Sequence, residues 1–593
     1  MYPAGRVLWT FLPPLLVVLV AIAAYANARP NALVHDDKFY GGSERYAALT
    51  NIPRYFTEGV WASNGIDEPL YRPLLLLSVT LDARVWGDRA AGYHLTNIVL
   101  HAIVAVLMFI FLRRLLSRGQ GAAEPGLAAA LAVALIFAVH PVNTEVVNSV
   151  FNRSEALVAL GGLAGLWWFL RWLDPNPARA WTGLGLAYLF ALFSKESAIV
   201  LPGIAVVLAL GFSPGNLRAR IRKCLPVLWL LLPLALYVVL RARALAPAEL
   251  QALADSLPEP TLLSGTETII DEFRAPSSRR VMDVFGFWYE AIRILLWPHP
   301  LSVAPVLISP FARLAGLALN LGLVAVAVYQ ATRRRYGLLA GLAIFYLASL
   351  PASRLIGDPG VLPHLAERYL YFPSVGLAIA LGFGLRFVAR RYGSTAAVAA
   401  VLPVLIAFMP LTLARNADWA SDLALYESEY RNGAGSEPVL IWLTAAHLTR
   451  GKFRETAELC DRVAETRQDA RLLSSHCAIA YSRMGRLQEA EAAHLFAASG
   501  KRAQPIAHAN LAQFYLTQGR WRDAKLQFEQ AIGKEKIPAS RALRTGQMLM
   551  QLYPWDRDKL EEARDRFEEA LELQPSFRQA EQWLARVNRL LGA

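Results

Sequence analysis

The chain has few charged residues and almost no cysteine for its length. Only 18% of its 593 residues are charged and three are cysteine, whereas 55% are hydrophobic. Three cysteines exclude a small scaffold held together by disulfide bonds, and such a composition is rare in a soluble protein of this length. The sequence also shows no convincing dinucleotide-binding glycine loop, P-loop, zinc signature or nucleophile elbow. The composition therefore predicts a polytopic membrane protein.

Long apolar runs recur through the first two thirds of the chain. A membrane-spanning helix needs roughly 17–25 mostly apolar residues, and about eleven segments qualify, several of them barely. The candidate spans lie near residues 7–25, 93–112, 125–141, 154–172, 178–194, 196–213, 224–241, 312–331, 336–352, 369–388 and 394–412. The stretch 284–300 is amphipathic, and we expect it to lie on the outer membrane surface as an interfacial helix.

The net charge of +13 is concentrated in short loops, which is typical of membrane topology rather than of nucleic-acid binding. Arginine-rich loops such as FLRRLLSRG and RFVARRYG alternate with loops that hold HDD, HPVNTE, SKES, the acidic stretch 249–283 and GDPGVLPHLAERY. This alternation predicts a cytoplasmic amino terminus and a carboxy terminus outside. The sequence ANA at 26–28 resembles a signal-peptidase site, but Arg29 and Pro30 follow it, so we expect an uncleaved first span.

Beyond about residue 437 the sequence changes to amphipathic helices with an internal repeat. Equivalent positions 34 residues apart hold the same residue type, which is the period of the tetratricopeptide repeat (TPR). The matched pairs are Tyr481 and Tyr515, Gly485 and Gly519, and Ala490 and Ala524. We predict a TPR domain of about four repeats at 437–593, preceded by a linker at 416–436.

The three cysteines admit two interpretations. Cys460 and Cys477 fall in neighbouring helices of the predicted repeat array, where they could be small buried residues or, in an oxidising compartment, a disulfide bond. Cys224 begins a predicted span, and we expect it to be inert.

Four segments carry a resemblance to a known family. They read EPLYRPLLLLSVTLDARVWGDRAAGYHLTNIVLHA (68–102), HPVNTEVVNSVFNRSEAL (140–157), ALFSKESAIVLP (191–202) and AERYLYFPSVG (366–376). In this order they resemble the transmembrane and tetratricopeptide repeat-containing O-mannosyltransferases, which are glycosyltransferases of the GT-C fold. The resemblance covers nearly the whole chain. It implies an all-α architecture, with a membrane transferase at 1–415 and the TPR α-solenoid on the extracytoplasmic side.

The resemblance implies catalytic roles for Asp36 and Asp37. GT-C enzymes carry their catalytic base in an acidic pair of the first outer loop, where this chain has HDD. A carboxylate hydrogen-bonded to an acceptor hydroxyl can take its proton as the sugar is transferred. Adjacent side chains point in different directions, so we expect one to be the base and the other to orient a neighbour, the acceptor or a metal. A solvated pair of loop carboxylates is the alternative.

Three basic residues match family positions suited to a lipid phosphate. Negative charge develops on the phosphate as it leaves, which calls for cationic donors. The candidates are Arg368, Lys195 and Arg72, of which Arg72 could instead position its loop. The neighbouring Glu367 and Glu196 leave open the alternative that these cations form local ion pairs.

Four further residues are candidates for binding the acceptor or the sugar: His140, Glu145, Arg153 and Glu367. His140 and Glu145 could also join Asp36 around a divalent cation, but the sequence has no diagnostic ligand spacing. Metal dependence therefore stays open.

We expect a membrane glycosyltransferase that moves a sugar, mannose being the family default, from a polyprenyl-phosphate donor to Ser/Thr hydroxyls of an extracytoplasmic protein. The predicted partners are the bilayer, the lipid-linked donor and an acceptor protein or peptide docked on the TPR domain; no nucleic acid is expected. Two alternatives are transfer to an envelope glycan or lipid, and a non-enzymatic TPR scaffold. The Ala- and Arg-rich composition suggests a bacterial inner membrane, with the catalytic loops in the periplasm.

Overall fold

A computed structural model describes most of the chain. The described residues are 4–40, 46, 48–60, 70–118, 123–174, 180–245, 280–303, 308–353, 365–433, 436–464, 471–500, 503–574 and 577–592. Throughout these ranges the regular structure is helical and no β-strand occurs, which confirms the all-α class. The helices fall into a first unit that ends at residue 434 and a second unit that begins at residue 435. Most of the acidic stretch 249–283 lies outside the described residues.

The first unit contains seventeen α-helices among its described residues. They are α1 (Ala4–Tyr25), α2 (Pro73–Trp86), α3 (Ala90–Leu116), α4 (Ala123–Val139), α5 (Thr144–Asn148), α6 (Arg153–Trp172), α7 (Ala180–Ser194), α8 (Leu201–Phe212), α9 (Leu217–Arg222), α10 (Leu231–Ala244), α11 (Arg280–Leu296), α12 (Pro310–Thr332), α13 (Gly337–Ser353), α14 (Ser374–Tyr392), α15 (Ser394–Ala399), α16 (Leu402–Asp418) and α17 (Asp422–Arg431). Short 3-10 turns between them, at His35–Phe39, Pro141–Asn143, Glu196–Val200 and Glu367–Leu370, contain four of the nine predicted site residues and directly follow two more, His140 and Lys195.

Several helical segments of this unit are suited to a bilayer. Five are long and apolar enough to cross a membrane: Phe11–Ala28, Ala90–Leu116, Leu217–Ala244, Pro310–Thr332 and Ser394–Asp418. The apolar segments Pro125–Val139 and Pro141–Asn148, bent by 53° relative to each other, would count as a sixth span if they cross together. Three shorter apolar helices add to them. These helices support a membrane-embedded protein, while the count of eleven spans stays a prediction.

Helices α13 and α14 meet through two glycines. A Cβ atom added at Gly376 would lie 2.4 Å from the backbone nitrogen of Phe345, and one added at Gly341 would lie 2.6 Å from the carbonyl oxygen of Gly376. Such distances are shorter than any ordinary contact. Small residues are the usual device by which apolar helices bring their backbones close together, so α14, which follows the Glu367–Leu370 turn, is held tightly against α13.

The predicted interfacial stretch forms helix α11. Its residues Phe287 and Ile292 are buried in an apolar cluster, and the indole Nε1 of Trp288 donates to Oγ of Ser349 on α13 at 3.0 Å. Leu296, at the end of the helix, is exposed. The location of α11 at the membrane surface stays a prediction.

Part of the predicted linker is helical. Helix α17 occupies residues 422–431 within the range expected to be a linker, and it belongs to the first unit. Its Glu429 is fully buried and accepts hydrogen bonds from Oγ of Ser302 at 2.5 Å and from the backbone N–H of Val303 at 3.0 Å. Burial of a bonded carboxylate ties this segment to the unit rather than leaving it as a free connection.

The second unit is a succession of helices. They are α18 (Glu437–Thr449), α19 (Phe453–Ala464), α20 (Arg471–Arg483), α21 (Leu487–Ala498), α22 (Pro505–Thr517), α23 (Trp521–Lys534), α24 (Pro538–Leu552), α25 (Arg557–Leu573) and α26 (Arg578–Leu591). The repeated positions have matching environments: Ala490 and Ala524 are both fully buried, and Gly485 and Gly519 have φ of 77° and 71° in equivalent turns. The tetratricopeptide assignment itself stays a prediction.

Two of the three cysteines are bonded to each other. A disulfide joins Cys460 on α19 to Cys477 on α20. The sequence allowed either two small buried residues or a disulfide bond, and the structure contains the disulfide bond. Cys224 is a free, half-buried thiol in the connection between α9 and α10.

Candidate functional site

Asp37 is the most firmly held residue of the predicted catalytic pair. It lies in the turn His35–Phe39 and is completely buried. Its Oδ1 accepts hydrogen bonds from Oγ of Ser149 at 3.0 Å and from the backbone N–H of Phe151 at 2.9 Å, and its Oδ2 accepts from the N–H of Val150 at 2.8 Å. These bonds fasten the loop after α1 to the segment between α5 and α6.

The environment of Asp37 shifts its ionisation toward neutral pH. Burial disfavours the charged carboxylate and raises the pKa, the hydrogen bonds from Phe151, Val150 and Ser149 lower it, and the adjacent Asp36 raises it further. The net result is a pKa raised from 3.8 to about 7. The ionisation state of Asp37 therefore changes near neutral pH.

Asp36 has the opposite character. Its side chain is 38% exposed, and its Oδ1 lies 3.7 Å from Nε2 of His35. His35 adopts a φ of 54° and is held by helix α17: its backbone N–H donates to Oδ1 of Asp422 at 2.9 Å, and its Nδ1 lies 2.9 Å from Oη of Tyr426. Lys38 also pairs with Asp422, at 2.5 Å. Asp36 is thus a solvent-accessible carboxylate on a turn that is fixed on both sides.

Glu145 and Arg368 form an ion pair between two of the predicted motifs, in which Glu145 is buried and Arg368 is partly exposed. Oε1 of Glu145 accepts from Nη1 of Arg368 at 2.5 Å, and Oε2 accepts from the backbone N–H of the same residue at 2.8 Å. The side-chain amide of Asn152 donates to Oε1 at 3.3 Å. Both oxygens of Glu145 are therefore occupied, and the carboxylate orients Arg368.

Lys195 contacts the same region from the end of α7. Its ammonium pairs with the buried carboxylate of Glu155 on α6. Its Nζ lies 5.5 Å from the centroid of the Tyr369 ring, and the guanidinium of Arg368 lies 4.7 Å from that centroid. The ring of Tyr369 thus brings two of the three predicted phosphate ligands together through cation–π contacts.

Arg72, the third predicted phosphate ligand, lies at the start of α2. It makes a two-point contact with Glu196, with Nε 3.1 Å from Oε2 and Nη2 2.7 Å from Oε1. Its Cζ lies 5.4 Å from the ring centroid of Phe151, the residue whose N–H binds Asp37. The structure therefore contains the ion pair that the sequence offered as the alternative, and it also positions Arg72 next to the segment that holds Asp37.

Six of the nine predicted residues are joined by this chain of contacts. We call them the loop cluster: Asp36, Asp37, Arg72, Glu145, Lys195 and Arg368. Each cation of the cluster already has one glutamate partner. An anionic ligand would therefore have to bind the cation together with that glutamate. Arg368 is the best placed to do so, because its side chain is 25% exposed, whereas those of Arg72 and Lys195 are 6% and 8% exposed.

Arg153 is not part of the loop cluster and lies in the core. It is completely buried, pairs with Asp82 on α2 and donates to Oδ1 of Asn97 on α3 at 2.5 Å. Its guanidinium also contacts Oγ of Ser78 and the carbonyl of Tyr93. These contacts make Arg153 a cross-link among three helices, and its role as a sugar ligand stays a prediction.

His140 and Glu367 are likewise held by protein groups. Nδ1 of His140 accepts from the backbone N–H of Val142 at 3.1 Å, and its Nε2 lies 3.0 Å from the carbonyl oxygen of Leu295. Because an accepting Nδ1 carries no proton, the imidazole is neutral and donates from Nε2. Oε1 of Glu367 binds Nη2 of Arg415 at 2.6 Å.

Arg415 is the main residue that sequence reasoning missed. This buried arginine near the end of α16 pairs with Glu367, with Glu429 of α17 at 2.9 Å and with Asp418 at 3.2 Å. An arginine closing an apolar helix reads as a membrane-boundary residue in the sequence. Only the folded positions of its partners reveal that Arg415 holds the Glu367 turn to α17.

The residues offered as metal ligands do not fit a metal ion. His140 uses both ring nitrogens, and both oxygens of Glu145 bind protein groups. Within the described ranges, no three His, Cys, Asp or Glu side chains are grouped closely enough to hold a cation. We therefore derive no step through a metal.

Comparison with known proteins identifies relatives of one kind. The chain is 25% identical to the protein O-mannosyl-transferase TMTC3 of Mus musculus over 520 residues, which covers 82% of the chain. It is 24% identical to Tmtc3 of Drosophila melanogaster over 623 residues and 26% identical to human TMTC4 over 468 residues, covering 91% and 72% of the chain. No family model matches the chain.

The chain spans about half to two thirds of the length of these relatives. The aligned part is 54% of the mouse protein, 66% of the Drosophila protein and 62% of the human one. All three are named protein O-mannosyl-transferases.

Proposed function

We propose that the chain is a membrane glycosyltransferase acting on proteins, because it is similar over most of its length to members of the transmembrane and tetratricopeptide repeat-containing O-mannosyltransferase family. It moves a sugar from a polyprenyl-phosphate donor to a Ser or Thr hydroxyl. The observation that carries the proposal is the accessible carboxylate of Asp36, held by the buried Asp37 beside the cations of the loop cluster.

The exposed carboxylate of Asp36 and the buried carboxylate of Asp37 have different roles. Asp36 is the base: it accepts the proton of the acceptor hydroxyl while the hydroxyl oxygen bonds to the anomeric carbon. Asp37 does not touch the acceptor; its hydrogen bonds to residues 149–151 keep the turn in place. Positioning of this kind matters because a displacement of about 1 Å at a reacting group can cost roughly 10²-fold in rate.

The leaving phosphate needs positive charge on the other side of the reacting carbon. As the glycosidic bond to phosphate breaks, the electron pair stays on the phosphate oxygen, and Arg368 is the most exposed cation of the cluster to stabilise that negative charge. Lys195, which shares the Tyr369 ring with Arg368, adds a second charge nearby. Direct displacement by the acceptor inverts the configuration at the anomeric carbon.

The second unit would bind the acceptor protein. A stack of helix pairs presents an extended concave surface that suits an unfolded peptide. The disulfide between Cys460 and Cys477 supports an oxidising, extracytoplasmic location for this unit, which is also the location that the arginine-rich loops predict.

Mass spectrometry of envelope proteins and glycolipids tests the proposal. Cells lacking the gene are complemented with the wild type, with Asp36→Asn, or with Asp88→Asn as a control that removes another exposed carboxylate. We expect a hexose-sized modification on protein Ser/Thr that is restored by the wild type and by Asp88→Asn, but not by Asp36→Asn. Full restoration by Asp36→Asn would contradict the assignment of the base.

The same spectra separate the other functions. A change confined to glycolipids would make the acceptor a lipid or glycan instead of a protein. Unchanged proteins and glycolipids, with normal rescue of any growth phenotype by Asp36→Asn, would indicate a scaffold.

A further inference from the structure

A second polar site lies far from the loop cluster. It is a cavity of about 430 Å³ lined by Ile110, Arg113, Arg114, Ser117, Arg118, Trp167 and Asp174, where the carboxyl ends of α3 and α6 lie side by side. Asn97, near the other end of α3, contacts the carbonyls of Val147 and Ser149 beside the loop cluster. The sixteen residues from Asn97 to Arg113 span roughly 24 Å of helix, so the cavity plays no part in the proposed transfer.

The cavity carries excess positive charge. Arg114 and Arg118 both pair with Asp174, and Arg118 also donates to the carbonyl oxygen of Leu170 at 2.7 Å. The third arginine, Arg113, is exposed and makes no ion pair within the described part of the chain. Two guanidinium groups thus share one carboxylate while the third has none, and the cavity is short of anionic acceptors.

A buried donor points to the same deficit. Nε of Arg114 is inaccessible to solvent and finds no acceptor among the described residues. Because this atom is closed to solvent, a ligand in the cavity would contact the exposed part of the Arg114 guanidinium, whose side chain is 25% exposed. A general excess of arginine at the membrane boundary accounts for the residue types, but not for the convergence of three arginines on one concave pocket.

The cavity wall also has an apolar part. Ile110 is exposed, one turn before Arg114 on a helix apolar enough to span a membrane. The ring of Trp167 lies beside it, 5.8 Å from the guanidinium of Arg114. Tryptophan is enriched at the level of lipid headgroups, and a charged pocket opening onto an apolar helix surface fits a lipid better than a free ion.

We propose that this cavity binds the phosphate of an anionic membrane lipid, with Arg113 and Arg114 as the ligands and the acyl chains running along Ile110. Arg118 has a different part, since its bonds to Asp174 and to the carbonyl of Leu170 tie α3 to α6.

Lipid titration of the purified full-length protein in neutral detergent tests this site. Phosphatidylglycerol, phosphatidylcholine and inorganic phosphate are added separately, and binding is read by native mass spectrometry and by the shift in unfolding temperature. We compare the wild type with Arg113→Gln and Arg114→Gln, and with Arg335→Gln, which removes an arginine of another loop outside the cavity. Arg113→Gln breaks no ion pair, so we expect its unfolding temperature without lipid to be unchanged.

The expected result is selective binding of phosphatidylglycerol, about tenfold weaker in each cavity variant and unchanged in Arg335→Gln. Equal binding of phosphatidylcholine, or unchanged phosphatidylglycerol binding in both cavity variants, would overturn the proposal. Stabilisation by inorganic phosphate without any by phosphatidylglycerol would also overturn it, because the ligand would then be a soluble anion. None of these results depends on transferase activity.

Discussion

The carboxylate of Asp37 accepts a hydrogen bond from the backbone N–H of Phe151 at 2.9 Å, although 114 residues separate the two. Phe151 in turn lies under the guanidinium of Arg72. One buried acid therefore connects the turn that bears Asp36 to a cation of the loop cluster. Of the two adjacent carboxylates, Asp36 faces solvent, whereas Asp37 fixes the turn by its hydrogen bonds to residues 149–151.

This division predicts opposite effects of two amide substitutions. Asp37→Asn replaces one accepting oxygen by an NH₂ group, which would face an N–H donor of residues 149–151. At pH 8 we expect it to lower the free energy of unfolding by about 1–3 kcal/mol. Asp36→Asn should change it by less than about 0.5 kcal/mol while reducing turnover about 10²–10⁴-fold. Thermal unfolding and a transfer assay on both purified variants check this; an unstable Asp36→Asn would contradict it.

Asp37 also predicts a pH dependence of stability. Its pKa is about 7 in the folded protein and 3.8 as the ordinary value, so the folded state binds the proton more tightly. The resulting stabilisation is complete below about pH 3.8 and is lost as the pH rises through 7. From about pH 5 to pH 8, the unfolding temperature of the wild type should therefore fall more than that of Asp37→Asn, in which position 37 cannot titrate. Parallel curves for the two proteins would contradict the raised pKa.

The sequence predicts part of this site well and part of it poorly. Asp36, Lys195 and Arg368 are recognisable because they match positions of the resembled family and lie in loops on the same predicted side of the membrane, where the ends of packed helices come together. The choice between Asp36 and Asp37 depends on which of them folds inward, and adjacent positions in a loop carry no periodic signal for that.

Pairing between residues far apart in the chain explains why the sequence did not reveal the partners of Arg153 and Glu367. Arg153 reads as a loop cation, yet it is buried against Asp82, 71 residues earlier in the chain. Glu367 and Arg415 are 48 residues apart, and neither position identifies the other. Without co-variation among homologues, a single sequence gives helix types and ends but not the partners of buried charges.

The glycine contact between α13 and α14 predicts a steric effect on stability. In Gly376→Ala, the new methyl group would lie 2.4 Å from the backbone nitrogen of Phe345, which cannot move independently. We expect a loss of about 1–3 kcal/mol of unfolding free energy. Gly384→Ala on the same helix is the control, since nothing lies within 4 Å of its added Cβ; it should be neutral or stabilising by up to about 1 kcal/mol. Equal effects of both substitutions on thermal unfolding would contradict the close approach.

The disulfide predicts a dependence on redox conditions. Cys460 and Cys477 are separated by 17 positions, and closing a loop of that length in the unfolded chain is worth about 3 kcal/mol in the chain-entropy model. The double serine variant should therefore unfold at a lower temperature, and a reducing agent should lower the unfolding temperature of the wild type but not of the double variant. Cys224→Ser, which removes the free thiol, serves as the control. Labelling of Cys460 and Cys477 without prior reduction would show that the bond does not form in the cell.

Arg368 and Glu145 allow a separation of ligand binding from structural pairing. Arg368→Gln leaves the buried Glu145 without its cation, so it should lower stability, by about 3–5 kcal/mol for a fully buried pair and by less here because Arg368 is partly exposed. It should also lower kcat/KM for the lipid-linked donor about 10²–10³-fold, because the leaving phosphate loses a donor.

The double variant Arg368→Gln with Glu145→Gln distinguishes the two causes. It leaves no unpaired buried charge, so stability should return toward the wild-type value, and the coupling energy measures the pair. If Arg368 binds the phosphate, kcat/KM stays low because neither glutamine supplies positive charge. If the arginine serves only to neutralise Glu145, activity recovers together with stability. Recovery of activity in the double variant would therefore exclude Arg368 as the phosphate ligand and leave Lys195 and Arg72 as the remaining candidates.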